Sequence, residues 1–505
     1  MQEPQPVVLE EVRPGPRSRE GPRPGRPSVP VVTRARALAD TLRRRYWATL
    51  PARLRLLRAV TLLMAVACGV LLLVTGLAAS RTWDPVAGRH APQTVSAADL
   101  NLALNDMDAQ AANILLAGGD AGEGRLTVPY EKATTLYTEA RGTISHELRT
   151  LAVAAEGDPK AQRTVETLTA DFARYQELLG RALENASRSG GAADALIDYR
   201  AATDLLSDRL LPEARRLVEA NNAAFEATYA SERSDLADRT AVLLGLGLAL
   251  LAVLVLLQWY VGRRFHRVLN PALLAATVCA LTALVLGLQF VTASGEQLRV
   301  ARRDAFDSVV ALSRARAIAY DANADESRYL LDPARRDSYE QSFLAKSQQL
   351  YGIEGAELAT YDRKLDETWA RYRADHEDRV FTGEFRRELD NITFAGEREA
   401  AEETVERYAV YQRDDRTIRS LVVQGKVREA VEFCISWEPG MSNAHFGEWM
   451  AALDRVTGIN RGAFANAVRD GRSAVAWLLP AAGAALLAAA ALTALGLRPR
   501  LAEFR

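Results

Sequence analysis

The side chains that could support catalysis or metal binding are scattered along this 505-residue chain. Its five histidines are widely separated and lack the spacing of metal ligands. Neither a glycine-rich phosphate loop nor a nucleophile elbow is recognisable in the sequence. The three cysteines, two of which fall in apolar runs, cannot form a disulfide framework within one domain. We therefore expect no enzymatic activity, no metal ion and no cofactor.

Most of the other side chains that could bind a ligand or a partner are those of arginine, aspartate and glutamate. They recur three or four positions apart, which is typical of solvated helix faces that carry weak ion pairs. Because a guanidinium binds a carboxylate through two parallel hydrogen bonds, a few of these arginines could instead hold an amino-acid carboxylate. The sequence does not indicate which ones. The formal net charge of −1 predicts no nucleic-acid partner.

Four long uncharged runs must position these side chains. About 20 apolar residues suffice to cross the hydrocarbon core of a bilayer as a helix, and each run meets that length. The predicted transmembrane helices are 59–79, 240–261, 270–292 and 474–497. Only residues 262–269 separate the second helix from the third, which predicts a tight hairpin. Since no span contains a charged residue, ion-coupled transport by this chain alone is disfavoured.

Arginines cluster beside the spans and predict their orientation. They are dense in the juxtamembrane segment 34–58, in the hairpin and in the C-terminal residues 498–505. Because positive residues near span ends stay in the cytoplasm, we expect a multi-pass plasma-membrane protein with both termini and the hairpin inside. Residues 1–33, rich in Pro, Gly and Arg, are predicted to be a disordered tail. The candidate contacts for a cytosolic protein are Arg43, Arg44, Arg45, Arg263, Arg264 and Arg267.

Segments 80–239 and 293–473 are then extracytoplasmic, and apolar residues recur in both at alternating spacings of three and four. Leu100, Leu104 and Met107 begin such a series, which places its members on one helix face. Gly and Pro interrupt the pattern at short intervals, so each segment divides into four helices joined by short links. The expected fold class is an all-α membrane protein with four transmembrane helices and two tandem extracytoplasmic four-helix bundles.

The two outer segments share local sequence, which indicates a tandem duplication. DAQAANILL from Asp108 is similar to DANADESRYLL from Asp321. The stretch 380–400 has no counterpart in the first half, and we expect that residues 381–396 can be deleted without unfolding the bundle. This insertion holds the candidate contacts for an outer partner protein: Phe381, Asn391, Phe394, Glu397 and Arg398.

The plan resembles the GlnX-type membrane proteins of actinobacteria. The resemblance covers residues 55–497 and includes Asn391-Ile392-Thr393-Phe394, Gly396-Glu397-Arg398 and the region of Tyr408 and Gly425. It implies a relay in which an extracytoplasmic amino-acid-binding protein (GlnH-like) passes its state to a cytosolic Ser/Thr kinase (PknG-like). No ligand-contacting residue is carried over. Each predicted bundle also resembles, in architecture only, the four-helix sensor module of chemoreceptors.

A non-enzymatic signal transducer is the function that these observations favour. A helix that continues from an outer bundle into a span can carry a small shift across the lipid bilayer. The inner segments are short, so the signal must pass to a separate cytosolic protein. Two alternatives stay open: a chemosensor that binds a small ligand directly in a bundle, and a non-catalytic membrane subunit of an ABC-type or cell-envelope complex. Each is compatible with a homo-oligomer.

Overall fold

The structure, a computed structural model, describes residues 50–118, 126–265 and 270–502. Within these ranges the chain folds into helices and forms no strand. The prediction of an all-α fold is therefore confirmed. Several residues predicted to contact a cytosolic protein lie outside the described ranges, and these are Arg43, Arg44, Arg45 and Arg267.

Four of the described helices are long and apolar enough to cross a membrane. Each runs without interruption between a predicted span and the adjoining bundle; they comprise Ala52–Gly118, Ala192–Arg263, Pro271–Leu331 and Ser442–Pro499. The chain is thus an all-α membrane protein, as predicted. A consequence of the continuity is that the bundles and the spans share the same four helices.

The first bundle is built on the predicted apolar seam. Leu104, Met107 and Phe172 are buried together in one core. Asp158 begins the third bundle helix, because its carboxylate accepts hydrogen bonds from backbone N–H groups, including that of Ala161 at 3.2 Å. The elements in order are α1 (Leu50–Pro85), a π-helix (Val86–His90), α2 (Ala91–Gly118), α3 (Thr127–Ala154), α4 (Pro159–Ala186), α5 (Ala192–Leu205), a π-helix (Leu206–Leu210) and α6 (Leu211–Phe265).

The second bundle has an aromatic core. The ring of Trp449 is fully buried and lies 4.9 Å from that of Tyr408 and 5.2 Å from that of Tyr411. The elements in order are α7 (Pro271–Arg299), a π-helix (Val300–Phe306), α8 (Asp307–Leu331), a 3-10 turn (Pro333–Arg335), α9 (Arg336–Leu350), a 3-10 turn (Leu358–Thr360), α10 (Tyr361–Ala374), α11 (Glu384–Asp390), α12 (Glu397–Val423), α13 (Val427–Ile435) and α14 (Ser442–Ala502).

Glycines let the spans approach one another closely. A Cβ atom on Gly76 would lie 2.1 Å from a methyl of Leu479, and one on Gly247 would lie 2.4 Å from a methyl of Leu284. Small residues are favoured between membrane helices for this reason, since packing rather than the hydrophobic effect holds such helices together. The spans therefore form a packed group.

The two bundles lie side by side, with α2 packed along α8. These are the corresponding first bundle helices of the two halves. Each is preceded by a π-helix in the corresponding position, Val86–His90 in one half and Val300–Phe306 in the other. The two halves therefore share this local irregularity, while the π-helix Leu206–Leu210 belongs to the first half. The duplication itself stays a prediction.

Candidate functional site

The contact between α2 and α8 buries many polar side chains. On α2, six polar residues are between 0% and 7% exposed, namely Thr94, Asn101, Asn105, Asp108, Gln110 and Asn113. Burying such groups is costly unless they find hydrogen-bond or ionic partners. Asp108 and Asn113 find partners in the other bundle, which are Arg328 and Ser327. Asn105 and Gln110 instead donate hydrogen bonds within α2. The contact is therefore chemically specific at the first two positions.

Arg328 of α8 is the centre of the contact. Its side chain is 6% exposed, and its Nη2 atom lies 2.6 Å from Oδ2 of Asp108 in the first bundle. Its Nη1 atom lies 2.5 Å from Asp325 and 3.4 Å from Asp321 in its own helix. Burial opposes the charge of Arg328, but the carboxylates of Asp108 and Asp325 outweigh it and raise its pKa well above the usual range. A permanent buried cation thus joins the two bundles.

The remaining members of this ionic network are a second cation and two tyrosine hydroxyls. Lys346 of α9 lies 2.7 Å from Asp321 and 2.5 Å from Asp325. Asp108 also accepts hydrogen bonds from the hydroxyls of Tyr175 at 2.8 Å and Tyr199 at 3.1 Å. Burial, followed by the adjacent Asp108 carboxylate, raises the pKa of both phenols well above the ordinary value, so the two hydroxyls remain donors.

A second link joins the bundles farther from the membrane. Arg200 of α5 forms a two-pronged ion pair with Asp332, which is 1% exposed at the end of α8. Ser327 of α8 donates a hydrogen bond of 2.7 Å to Asn113 of α2. The Arg328 network and the Ser327–Asn113 hydrogen bond fix the register of α2 on α8, and the Arg200–Asp332 pair adds a tie from α5.

The four continuous helices meet again beside the predicted spans, in an apolar cluster that we call the junction. It contains Trp83 of α1, Phe225 of α6, Phe306 of the second-half π-helix and Ala467 of α14. The Phe225 and Phe306 rings lie 5.0 Å apart in an edge-to-face arrangement. A change in the packing of either bundle must pass through this cluster to reach the spans.

Arg302 places a buried charge in the junction. Its side chain is 3% exposed and pairs with Glu226 of α6 at 3.0 Å and with Asp307. Its guanidinium also lies 5.1 Å from the centre of the Phe225 ring, within the range of a cation–π interaction. Arg302 belongs to the π-helix that follows α7, so it ties the first helix of the second half to the last helix of the first half.

Gly471 of α14 faces Trp83 in the junction. A Cβ atom there would lie 2.1 Å from Cζ2 of the Trp83 ring, so we expect Gly471→Ala to destabilise the protein by about 1–3 kcal/mol through overpacking. Gly462→Ala is the matched control, since the same helix offers open space at that position. Thermal unfolding in detergent micelles measures both. Equal unfolding temperatures for the two variants would contradict the close contact.

The insertion 380–400 is part of the second bundle's core rather than a separable surface feature. Phe381 is 1% exposed and stacks on Tyr351 at 4.1 Å, while Phe385 and Leu389 of α11 are 2% exposed. The expectation that residues 381–396 can be deleted without unfolding the bundle is therefore wrong. The deletion would remove these buried side chains, because the charged residues of this stretch are interspersed with apolar ones that face inward.

The other predicted contact residues of the insertion hold its shape. Asn391 donates hydrogen bonds to the backbone oxygens of Arg303 and Asp304, next to the junction. Glu397 is fully buried, as Phe381 nearly is, so neither offers surface to a partner. Arg398 donates a 3.1 Å hydrogen bond to the hydroxyl of Tyr372, and it is half-buried, like Phe394.

Glu397 is one member of a buried pair of carboxyl groups. Its Oε2 atom accepts the backbone N–H groups of Thr393 and Phe394, and its Oε1 atom accepts from Asn460 of α14 at 2.6 Å. These donors pair with both carboxylate oxygens of Glu397. Burial, together with this neighbouring charge, raises the pKa of Glu388 to about 8. Glu388 therefore holds a proton at neutral pH.

At the hairpin end of α6, the guanidinium of Arg263 lies 5.1 Å from the exposed ring of Trp259. Arg264 is part of the same helix. The prediction that these arginines contact a cytosolic protein stays a prediction, as does the cytoplasmic location of this end.

Comparison with known proteins identifies one region of the chain. Residues 82–230 match the family model of an actinobacterial sensor domain. The first bundle is similar to that domain. No curated protein and no solved structure matches the chain. The match supports an actinobacterial sensor protein with a role in sensing or signalling. It spans the part of the first bundle, hereafter the sensor bundle, that supplies Asp108, Tyr175 and Tyr199.

The buried ionic network between the sensor bundle and the second bundle was not among the predicted sites. A signal for it was nevertheless present. The two local sequences that indicate the duplication begin at Asp108 and Asp321, which are both members of the network. An aspartate in an otherwise apolar helix face needs a buried partner, but the sequence does not show that Arg328 supplies it.

Proposed function

We propose that this protein is a non-enzymatic transmembrane signal transducer that relays extracytoplasmic amino-acid availability to a cytosolic Ser/Thr protein kinase of the PknG type. In this proposal a GlnH-like solute-binding protein holds the amino acid and docks on the bundles. The matched sensor domain supports the sensing role. The resemblance to GlnX-type proteins and the arginine-rich span ends support the partners and the orientation.

The observation that carries the proposal is the continuity of the helices between two charged contacts. Ala52–Gly118 and Pro271–Leu331 are held together near their far ends by Asp108 and Arg328. Near the spans, Arg302 joins the second of these helices to Glu226. A partner that favours a different packing of α2 on α8 must rearrange the far contact, and rigid helices deliver the change to the junction.

The test uses the full chain in lipid nanodiscs. The purified solute-binding protein is titrated onto it with glutamate, aspartate, glutamine or no ligand, and capture of the kinase is then measured at the other face. We expect docking that depends on the bound amino acid and kinase capture that follows docking. Docking that is absent under every condition would overturn the relay. Co-purification with an ATPase and loss of substrate flux on deletion would support a transporter subunit instead.

Arg302→Met is expected to preserve docking of the solute-binding protein but weaken capture of the kinase. The variant keeps the bundle surfaces but removes the buried one of two arginines that tie the π-helix to Glu226, the half-exposed Arg303 being the other. The solute-binding protein should still dock, while ligand-dependent kinase capture falls several-fold. Arg299→Met is the control, because among the described residues Arg299 pairs only within its own half, with Glu296 and Asp304. If Arg302→Met relays as well as Arg299→Met, the junction charge plays no part in the coupling.

A further inference from the structure

A cavity of about 230 Å³ opens between the two bundles. It lies below the roughly 300–1,000 Å³ of drug-sized ligand sites, so it suits a small molecule. Helices α2 and α6 line one side, and α8, α9 and α11 line the other. Its polar lining residues are Asn101, Arg215, Glu219, Ser313, Arg314, Gln349 and Glu384.

Two guanidinium groups in this cavity are available as donors. Among the described residues, no carboxylate lies within ion-pair distance of the half-buried Arg314. Arg215 is half-exposed, and its nearest carboxylate oxygen, on Asp321, is 3.6 Å away, beyond a hydrogen bond. The two arginines stand on α8 and α6, one from each bundle, and both reach the same space.

Two buried acceptors also lack partners within the part of the chain that the structure describes. Asn101 is 7% exposed and its Oδ1 atom accepts no hydrogen bond. Glu384 is 9% exposed; its Oε1 atom pairs with Arg387 at 2.8 Å, but its Oε2 atom accepts none. A buried polar atom without a partner is costly, and such atoms recur where a ligand is missing.

We infer that this cavity binds a small zwitterion, with the ligand carboxylate on Arg215 and Arg314 and the ligand ammonium on Asn101 and Glu384. A free amino acid has this chemistry. A dicarboxylate would pair with the two arginines but leave Asn101 and Glu384 without a donor. A diamine would pair with Asn101 and Glu384 but leave the two arginines without an acceptor. Ile318 and Val218 add an apolar wall for a short side chain. The inference goes beyond the relay proposed above, since it gives the chain a ligand of its own and holds even if no solute-binding protein docks.

The position of the cavity links its occupancy to the ionic network. Arg215 contributes to the field around Asp321, which also binds Lys346 and Arg328. A ligand carboxylate that engages Arg215 would draw a cation away from that cluster. Since the lining comes from both bundles, an occupied cavity also adds a contact between α6 and α8 that the empty one lacks.

Isothermal titration calorimetry on the full chain in nanodiscs, with no other protein present, tests the inference. The probes are alanine, glutamine and glutamate. The comparison compounds are succinate, which carries only carboxylates, and putrescine, which carries only ammonium groups. We expect at least one amino acid to bind and neither comparison compound to match its affinity. Arg314→Gln and Glu384→Gln should each weaken binding about tenfold or more, because each removes a charge-assisted contact.

Arg316→Gln is the matched control, since Arg316 lies on the same helix but pairs with Asp454 outside the cavity. It should bind like the wild type. If Arg314→Gln fails to fold, Arg215→Gln at the half-exposed position makes the same measurement. Absence of binding by every amino acid, or equal binding by Arg314→Gln and Arg316→Gln, would overturn the inference without touching the relay, which is measured through docking.

Discussion

Replacing Arg328 with methionine is expected to lower the free energy of unfolding by about 3–5 kcal/mol. The variant leaves Asp108 and Asp325 buried without the guanidinium that lies 2.6 and 2.5 Å from them. Removing one partner of a buried ionic network costs far more than the network contributes in net stability, because the remaining charge stays out of water. Urea unfolding in detergent micelles, followed by tryptophan fluorescence, measures the loss.

Arg413→Met is the control for this experiment. Arg413 pairs with Asp366 at 3.0 Å, but both side chains are about half-exposed, so the loss should be about 0–1 kcal/mol. If the two variants unfold alike at pH 8, the Arg328 network does not hold the bundles together.

Glu388→Gln is expected to stabilise the protein increasingly as pH rises from 5 to 8. The folded-state pKa of Glu388 is raised from 4.5 to about 8, so the wild type loses stability as pH increases through this range. Each pKa unit corresponds to about 1.4 kcal/mol, so the difference between variant and wild type should grow by roughly 3–4 kcal/mol between pH 5 and pH 8. A glutamine amide can still donate a hydrogen bond to Glu397, as the protonated carboxyl does, and it never ionises.

The measurement is the difference in unfolding free energy between variant and wild type at several pH values, because other buried acids also titrate. Glu377→Gln is the control, since the Glu377 side chain is 85% exposed, and its difference should stay near zero throughout. A Glu388→Gln difference that does not change with pH would show that Glu388 carries no proton in the folded protein.

The periodic parts of this fold could be predicted from the sequence. Leu104 and Met107 fall on one helix face because an apolar residue every three or four positions allows no other arrangement. The spans could be predicted for a similar reason, since an uncharged run of that length has few alternatives. Local signals of this kind need no knowledge of distant residues.

The candidate site could not be predicted, because its contacts join distant parts of the chain. Asp108 and Arg328 are ordinary charged residues until the packing of α2 on α8 brings them together. Likewise, Phe385 and Leu389 lie four residues apart on α11, a helical signal that the many charges of the insertion obscured. The π-helices could not be predicted either, because one extra residue in a single turn leaves the apolar pattern of a long helix almost unchanged.

The π-helix at Val300–Phe306 divides one continuous helix into two arms. On the bundle side α8 has 25 residues, and on the span side α7 has 29, which correspond to about 37 and 43 Å at 1.5 Å per residue. A helix that tilts about the junction would therefore act as a lever with its fulcrum near the middle. Displacement of the Arg328 end by a few ångströms would emerge at the hairpin end with nearly the same amplitude and the opposite direction.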